Sequence, residues 1–183
     1  MRAMTKVNIL NVGFKNKGNY ALVKSTMDTV AKHIPDAEFT LYGSENLCHD
    51  NWVIRPSLAS RPDKSVKPWI YLSLCVIHNL LGRIGINFKS IDKTRLIEYN
   101  NADVIINSGG DQTSGDQGFG VSVFLNLTYG ILLNKPIVLY GESLGYFKNT
   151  ILNWCATQVF QRIGLIILRE DLSLEYLKKN NIS

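Results

Sequence analysis

Residues 104–111 read VIINSGGD, an apolar run that opens directly into two glycines and an aspartate. A short apolar run is typical of a strand buried on both faces, as in a parallel sheet. Paired glycines let the backbone turn sharply and approach a ligand closely. The stretch therefore predicts a buried strand that leads into a loop suited to binding.

The same pattern recurs on both sides of this stretch. Apolar runs predict further strands at Val7–Val12, Phe39–Tyr42, Trp52–Ile54, Ile137–Tyr140 and Leu165–Leu168. Helical periodicity lies between them, for example over residues 21–34 and 121–133. Apolar strands that alternate with helices predict an α/β fold, a doubly wound, Rossmann-like parallel sheet. In the common strand order, the first strand and the 104–106 strand are neighbours at the point where the order reverses.

Composition narrows the class of protein. The chain has 183 residues, of which 45% are hydrophobic, so it suits a single globular domain and is not a disordered tail. A net charge of +5 is mild for a nucleic-acid-binding protein, and we predict no nucleic-acid partner. Cys48, Cys75 and Cys155 lie far apart, and no export signal is visible, so we predict a cytoplasmic location.

The loop after the first strand, Gly13–Tyr20, has the glycine spacing of a Walker A phosphate loop. Asn19 and Tyr20 stand where that motif needs Lys and Ser or Thr, which excludes a Walker ATPase. What remains is a glycine-assisted turn at the start of a helix, whose N–H groups suit an anion or sugar hydroxyls. The alternative is an ordinary strand-to-helix turn.

The loop after residues 104–106 is the second candidate. Its glycines permit close approach to a ligand, and Asp111 is placed to accept hydrogen bonds from sugar hydroxyls or to anchor a turn. Asp111 and Asp116 together have the oxygen ligands of a metal site, but no His or Cys cluster supports one. We therefore predict no metal.

Two further groups follow the later strands. Glu142 and Ser143 lie in GESLG, which is not the GxSxG of a nucleophile elbow, so Ser143 is not predicted to be a nucleophile. Arg169 ends the last strand, where a guanidinium binds phosphate or carboxylate, or pairs with a nearby acid.

The apolar segment 69–86 approaches the length of a membrane-spanning helix, but His78, Asn79 and Arg83 interrupt it. Residues 51–97 around it hold eight basic and two acidic side chains. We expect a core helix packed on the sheet with solvated charges around it. The alternative is peripheral docking on the inner face of an anionic membrane.

Four motifs in order, NKGNYA, ADVIINSGGD, KPIVLYGESLG-YF and LREDLSLEYLKKNNI, resemble the polysaccharide pyruvyl transferase family. Asn19, Glu142 and Tyr146 stand where that family usually has Asp, Gln and Pro. The resemblance implies an enzyme that transfers pyruvate from phosphoenolpyruvate to a sugar as a cyclic ketal. It implies phosphoenolpyruvate as the donor substrate and no cofactor. The acceptor is then a sugar of a cell-surface polysaccharide or of its lipid-linked oligosaccharide precursor.

The resemblance also implies the architecture of B-type glycosyltransferases, with two Rossmann-like halves and the active site between them. Residues 1–183 correspond to the N-terminal half, so we expect a truncated chain that lacks the second domain. The residues that bind phosphoenolpyruvate, and a catalytic His, then belong mainly to the missing half. We assign no catalytic residue here and expect the isolated chain to be inactive.

Within this half we expect contacts with the acceptor sugar. The predicted substrate-binding residues are Asn16, Gly18, Asn19, Gly109, Gly110, Asp111, Glu142, Ser143 and Arg169. Two other functions stay open at this point. One is a glycosyltransferase half-domain that uses a nucleotide sugar, and the other is a non-catalytic sugar-binding fragment.

Overall fold

A parallel sheet organises the chain. The computed structural model describes residues 4–13, 17–43, 48–49, 52–56, 68–85, 96–110, 121–145 and 147–182. The strands are β1 (Thr5–Val12), β2 (Ala37–Gly43), β3 (Cys48–His49), β4 (Trp52–Pro56), β5 (Val104–Gly110), β6 (Ile137–Glu142) and β7 (Leu165–Leu168). The helices are α1 (Lys17–His33), α2 (Pro68–Arg83), α3 (Leu96–Asn100), α4 (Val121–Leu132), α5 (Thr150–Phe160) and α6 (Asp171–Lys179).

The strand order is β3-β4-β2-β1-β5-β6-β7. All neighbouring strands are parallel except β3 and β4, which form a short antiparallel pair at the edge. The chain builds outward from β1 through β2 and β4, then returns to place β5 on the other side of β1. The order therefore reverses between β1 and β5, and the predicted doubly wound, Rossmann-like fold is confirmed.

Hydrophobic side chains cover both faces of the sheet. Val7 and Ile9 of β1 are fully buried and pack with Val23 of α1 in one core. Leu10 belongs to the larger core, to which α2, α3, α4, α5 and α6 all contribute. This alternation along one strand is what a sheet with helices on both faces requires.

Helix α3 ties together three strands on one side of the sheet through Glu98. The Glu98 backbone carbonyl accepts a hydrogen bond from Asn8 Nδ2 at 3.1 Å, and Glu98 Oε2 accepts one from the Tyr42 hydroxyl at 2.8 Å. Its Oε1 pairs with the Arg55 guanidinium. Asn8, Tyr42 and Arg55 lie on β1, β2 and β4, so one short helix fixes the order of these strands.

Helix α2 differs from the expected core helix. Tyr71 and Cys75 are buried, and the helix packs on α4, as a core helix would; burial raises the pKa of the Cys75 thiol to about 12. Its other side is apolar and exposed, with Ile70 47% and Leu80 55% accessible. No helix in the described ranges is both long enough and apolar enough to cross a membrane. The expectation of a core helix is therefore correct for only one of its faces.

Two helical glycines test how tightly the α4 side of the core is packed. A Cβ at Gly130 of α4 would lie 2.9 Å from Ile105 Cδ1 and 3.0 Å from Ile137 Cδ1, whereas a Cβ at Gly82 of α2 would meet nothing within 4 Å. We expect Gly130→Val to lower the free energy of unfolding by about 1–3 kcal/mol through overpacking. Gly82→Ala should raise it by up to about 1 kcal/mol, because alanine is the better helix former. Urea unfolding measures both, and equal effects of the two substitutions would contradict the packing described.

Candidate functional site

Three neighbouring strands have a residue with positive φ at or next to their carboxyl end, namely Asn11 (67°) in β1, Gly110 (135°) in β5 and Gly141 (69°) in β6. In β1 and β6 this residue lies in a β-bulge, since each strand has one more residue here than the stretch of the neighbouring strand that it pairs with. Bulges end regular pairing and redirect side chains, and they are common beside functional sites. The carboxyl edge of the sheet is thus the irregular edge.

The first turns of α1 lie against this edge. A Cβ at Gly13 would lie 3.8 Å from Asn19 Nδ2, and a Cβ at Gly141 would lie 3.2 Å from Leu22 Cδ1. The start of α1 therefore reaches from the end of β1 to the end of β6. Together the ends of β1, β5 and β6 and the first turns of α1 form what we call the carboxyl-edge crevice.

A buried carboxylate lies beneath the carboxyl-edge crevice. Glu142 is 0% exposed and Asn107 is 1% exposed, and the Asn107 Nδ2 donates a hydrogen bond to Glu142 Oε1. Burying a carboxylate is costly unless hydrogen bonds compensate for the lost water. The cross-strand bond from β5 supplies one such partner and fixes the orientation of both side chains.

Three buried polar atoms around this pair have no hydrogen-bond partner: Asn11 Nδ2, Asn107 Oδ1 and Ser108 Oγ. A buried polar atom without a partner costs about 1–3 kcal/mol, so native proteins leave few of them. The described part of the chain holds one more such atom, His78 Nδ1 in α2. Three of these four atoms therefore lie at the carboxyl ends of β1 and β5, which makes this edge the candidate binding site.

The ends of β6 and β7 are joined around Ser143. Its backbone N–H donates to the Gly110 carbonyl at 3.2 Å, and its hydroxyl accepts from Arg169 Nε. The Arg169 backbone N–H also approaches the Glu142 carbonyl at 3.4 Å. Arg169 is exposed to solvent, so its charge lies at the rim of the crevice while Glu142 lies in its floor.

Ser173 of α6 supports this region from behind. It is 0% exposed, and its hydroxyl accepts a hydrogen bond from the Leu144 backbone N–H at 2.8 Å. The same hydroxyl is 3.1 Å from the Leu144 carbonyl and 3.2 Å from Glu170 Oε1, to either of which it can donate. The segment that follows Glu142 is therefore held against α6.

Of the predicted substrate-binding residues, seven lie in the described ranges, and all seven are at this edge. Gly18 and Asn19 are in the first turn of α1, Gly109 and Gly110 end β5, Glu142 and Ser143 lie at the end of β6, and Arg169 follows β7. Asn16 and Asp111 lie outside the described residues. Their roles as ligands to a substrate stay predictions.

Sequence reasoning did not single out Asn11, Asn107 or Ser173. Asn107 carried a signal, because it is a polar residue inside an otherwise apolar strand, and Asn11 carried another, because asparagine tolerates positive φ. Ser173 lies in the LREDLSLEYLKKNNI motif, but it was not among the predicted substrate-binding residues. No cluster of three or more His, Cys, Asp or Glu side chains able to hold a metal occurs among the residues that the structure describes.

The comparison with protein families shows which family the chain belongs to. The model of the family described as polysaccharide pyruvyl transferase matches residues 16–183. The chain belongs to the polysaccharide pyruvyl transferase family.

The chain also resembles a protein that is named for its part in polysaccharide synthesis. The chain is 34% identical over 65 residues to the amylovoran biosynthesis protein AmsJ of Erwinia amylovora. The aligned stretch covers 36% of this chain and 16% of that relative. No solved structure matches the chain.

The buried Asn107–Glu142 pair of this pyruvyl transferase family member predicts that the stability of the variant Asn107→Asp depends on pH. Two adjacent buried carboxylates cannot both ionise easily, so the pair binds a proton in the folded state at a raised pKa. Stability is then full below the unfolded-state pKa and is lost as pH rises through the folded-state pKa. We expect the variant to be destabilised by about 1–3 kcal/mol more at pH 8 than at pH 5, relative to the parent protein.

Urea unfolding at the two pH values measures this difference. The double variant Asn107→Asp, Glu142→Gln is the matched control, since one neutral partner abolishes the repulsion and should remove most of the pH dependence. An Asn107→Asp protein whose loss of stability is equal at both pH values would contradict the buried pairing.

Proposed function

We propose that this protein transfers the pyruvyl group of phosphoenolpyruvate onto two hydroxyls of a sugar, forming a cyclic ketal and releasing phosphate. The observation that carries the proposal is the family match over residues 16–183, which includes the ends of β5 and β6 and the first turns of α1 in the carboxyl-edge crevice. The crevice lies where the strand order reverses, which is where open α/β sheets bind their ligands.

The acceptor in this proposal is a sugar of an exopolysaccharide or of its lipid-linked oligosaccharide precursor. The named role of AmsJ in amylovoran biosynthesis supports a polysaccharide acceptor. Phosphoenolpyruvate is the donor substrate, and no cofactor is required by this chemistry. We place the protein in the cytoplasm, at the inner face of the membrane, because that is where lipid-linked precursors would be accessible to it.

The chemistry of the crevice suits a carbohydrate. A sugar hydroxyl both donates and accepts hydrogen bonds, so it can satisfy the Asn11 Nδ2 donor as well as the Asn107 Oδ1 and Ser108 Oγ atoms. These atoms are shielded from solvent, and an ordered water can relay their hydrogen bonds to a bound sugar. We propose that Gly18, Asn19, Gly109 and Gly110 provide close backbone approach above them.

The charged groups at the crevice have different roles in the proposal. Arg169, at the rim, is placed to bind an anionic group such as the carboxylate or phosphate of the donor. Glu142 acts as a positioning residue, since its hydrogen bond holds the Asn107 amide in place. The acid and base of the transfer are not assigned to described residues, in keeping with a role for this half in acceptor binding.

Ser108→Ala tests the proposed acceptor site with little risk to the fold. The Ser108 hydroxyl has no partner, so removing it should leave the free energy of unfolding unchanged or raise it by up to about 1 kcal/mol. In cells that depend on the variant gene, we expect the acid-labile pyruvate of the polysaccharide to fall about tenfold, the effect of one lost hydrogen bond. Pyruvate released by mild acid, per unit of sugar, measures this.

Ser173→Ala is the matched control for that experiment, because its hydroxyl is paired and its loss should reduce stability instead. If cells without the gene retain normal pyruvate content, the proposed activity is wrong. If cells without the gene lose the pyruvate and the Ser108→Ala gene restores it fully, the proposed activity is supported but the proposed acceptor site is wrong.

A second experiment tests whether residues 1–183 are able to catalyse the transfer by themselves. We expect purified residues 1–183, incubated with phosphoenolpyruvate and a sugar acceptor, to release no phosphate above background. The reason is that the family resemblance places the donor-binding arginines and the catalytic His mainly in a second half. Phosphate release at a turnover above background would refute this, and release of a nucleotide from a nucleotide sugar would favour the glycosyltransferase alternative.

A further inference from the structure

A second candidate site lies at the opposite, amino edge of the sheet. It is a cavity of about 600 Å³ formed by the last turns of α2 and α4 together with the residues that precede β6 and β7. Lys135 precedes β6 and Arg162 precedes β7, so the cavity is separated from the carboxyl-edge crevice by the length of the strands. We call it the amino-edge pocket.

The amino-edge pocket is basic. Arg83, Lys135 and Arg162 line it, and no acidic side chain occurs among its described lining residues. Burial lowers the pKa of Lys135, and nearby Asp103 acts in the opposite direction. Arg162 uses one nitrogen to cap α5, since its Nη1 donates to the Gln158 carbonyl at 2.7 Å. Three cations converging on one cavity favour an anionic ligand.

An exposed apolar surface continues from this pocket along α2. Ile70 and Ile77 of α2 are 47% and 41% exposed, and Ile84, which directly follows the helix, is 68% exposed. Val76 and Leu80, 42% and 55% exposed, belong to the same surface and also line the amino-edge pocket. We call these five residues the α2 stripe. A run of large apolar side chains this exposed is typical of an interaction surface.

We propose that the amino-edge pocket and the α2 stripe together bind the surface of a bilayer that contains anionic phospholipid. The phosphate of a headgroup occupies the pocket, and the α2 stripe lies in the boundary between headgroups and acyl chains. The argument is charge complementarity, because a cation cluster that adjoins an apolar surface matches a molecule with an anionic head and an apolar tail. The site specifies how the protein reaches lipid-linked acceptors, and in that respect it rests on the proposed function.

Co-sedimentation with vesicles tests the site on the whole chain. We expect binding to phosphatidylcholine vesicles that contain phosphatidylglycerol at low salt, with little binding to phosphatidylcholine alone and loss at high salt. Replacing Arg83, Lys135 and Arg162 together with Gln should weaken binding roughly hundredfold, at about fivefold per charge. Leu80→Ser, an exposed substitution with little risk to folding, should weaken it about tenfold.

Matched controls separate a site from general attraction. The triple variant Lys24→Gln, Lys32→Gln, Lys178→Gln removes the same charge from exposed positions on α1 and α6, and Leu172→Ser removes an exposed leucine of α6. Both should bind nearly as the parent does.

Three outcomes would overturn the proposal: no binding to anionic vesicles at low salt, equal losses in the control variants, or a dimer that Leu80→Ser dissociates. The last would assign the α2 stripe to a second copy of the chain. Pyruvate content in cells carrying the vesicle-binding variants is measured separately, so failure here is distinguishable from failure of the proposed activity.

Discussion

The parallel pairing of β1 with β5 is the constraint on which the rest of the structure depends. Its register, from Val7 opposite Val104 to Leu10 opposite Asn107, brings the loop after β1 beside the end of β5. A slip of one residue would turn every side chain of a strand to the other face, exchanging Ile106 of one core with the polar Asn107. The apolar faces of both cores therefore enforce the register that assembles the crevice.

The polar residues of that crevice carry a cost in stability. A strand interior filled by Ile105 and Ile106 gives way to Asn107 and Ser108, both nearly fully buried, with two atoms that lack partners. An apolar pair at these positions would pack without that penalty. The neighbouring Glu142 adds a buried carboxylate.

The fold was predictable because continuous apolar runs such as Val104–Ile106 and Ile137–Tyr140 indicate strands that are buried on both faces. That β1 and β5 are neighbours followed from the strand order common to doubly wound sheets. The Asn107–Glu142 bond was not predictable, because its residues are 35 positions apart in the sequence and lie on two different strands. The face that α2 exposes was also hidden. An apolar helix does not reveal in its own sequence which side its neighbours cover, and here α4 covers only the side that carries Tyr71 and Cys75.

The polarity of a parallel sheet explains why its two edges need different residues. Helices that follow the strands start at the carboxyl edge, where their N–H groups favour anions and hydroxyls without help from charged side chains. They end at the amino edge, where the free carbonyl groups make the electrostatic potential negative. One nitrogen of Arg162 already donates a hydrogen bond to such a carbonyl. An anion at this edge therefore depends on an excess of side-chain cations, which Arg83 and Lys135 supply. Its binding must weaken steeply with salt, whereas a sugar held through neutral hydroxyls at the carboxyl edge should be nearly insensitive to salt.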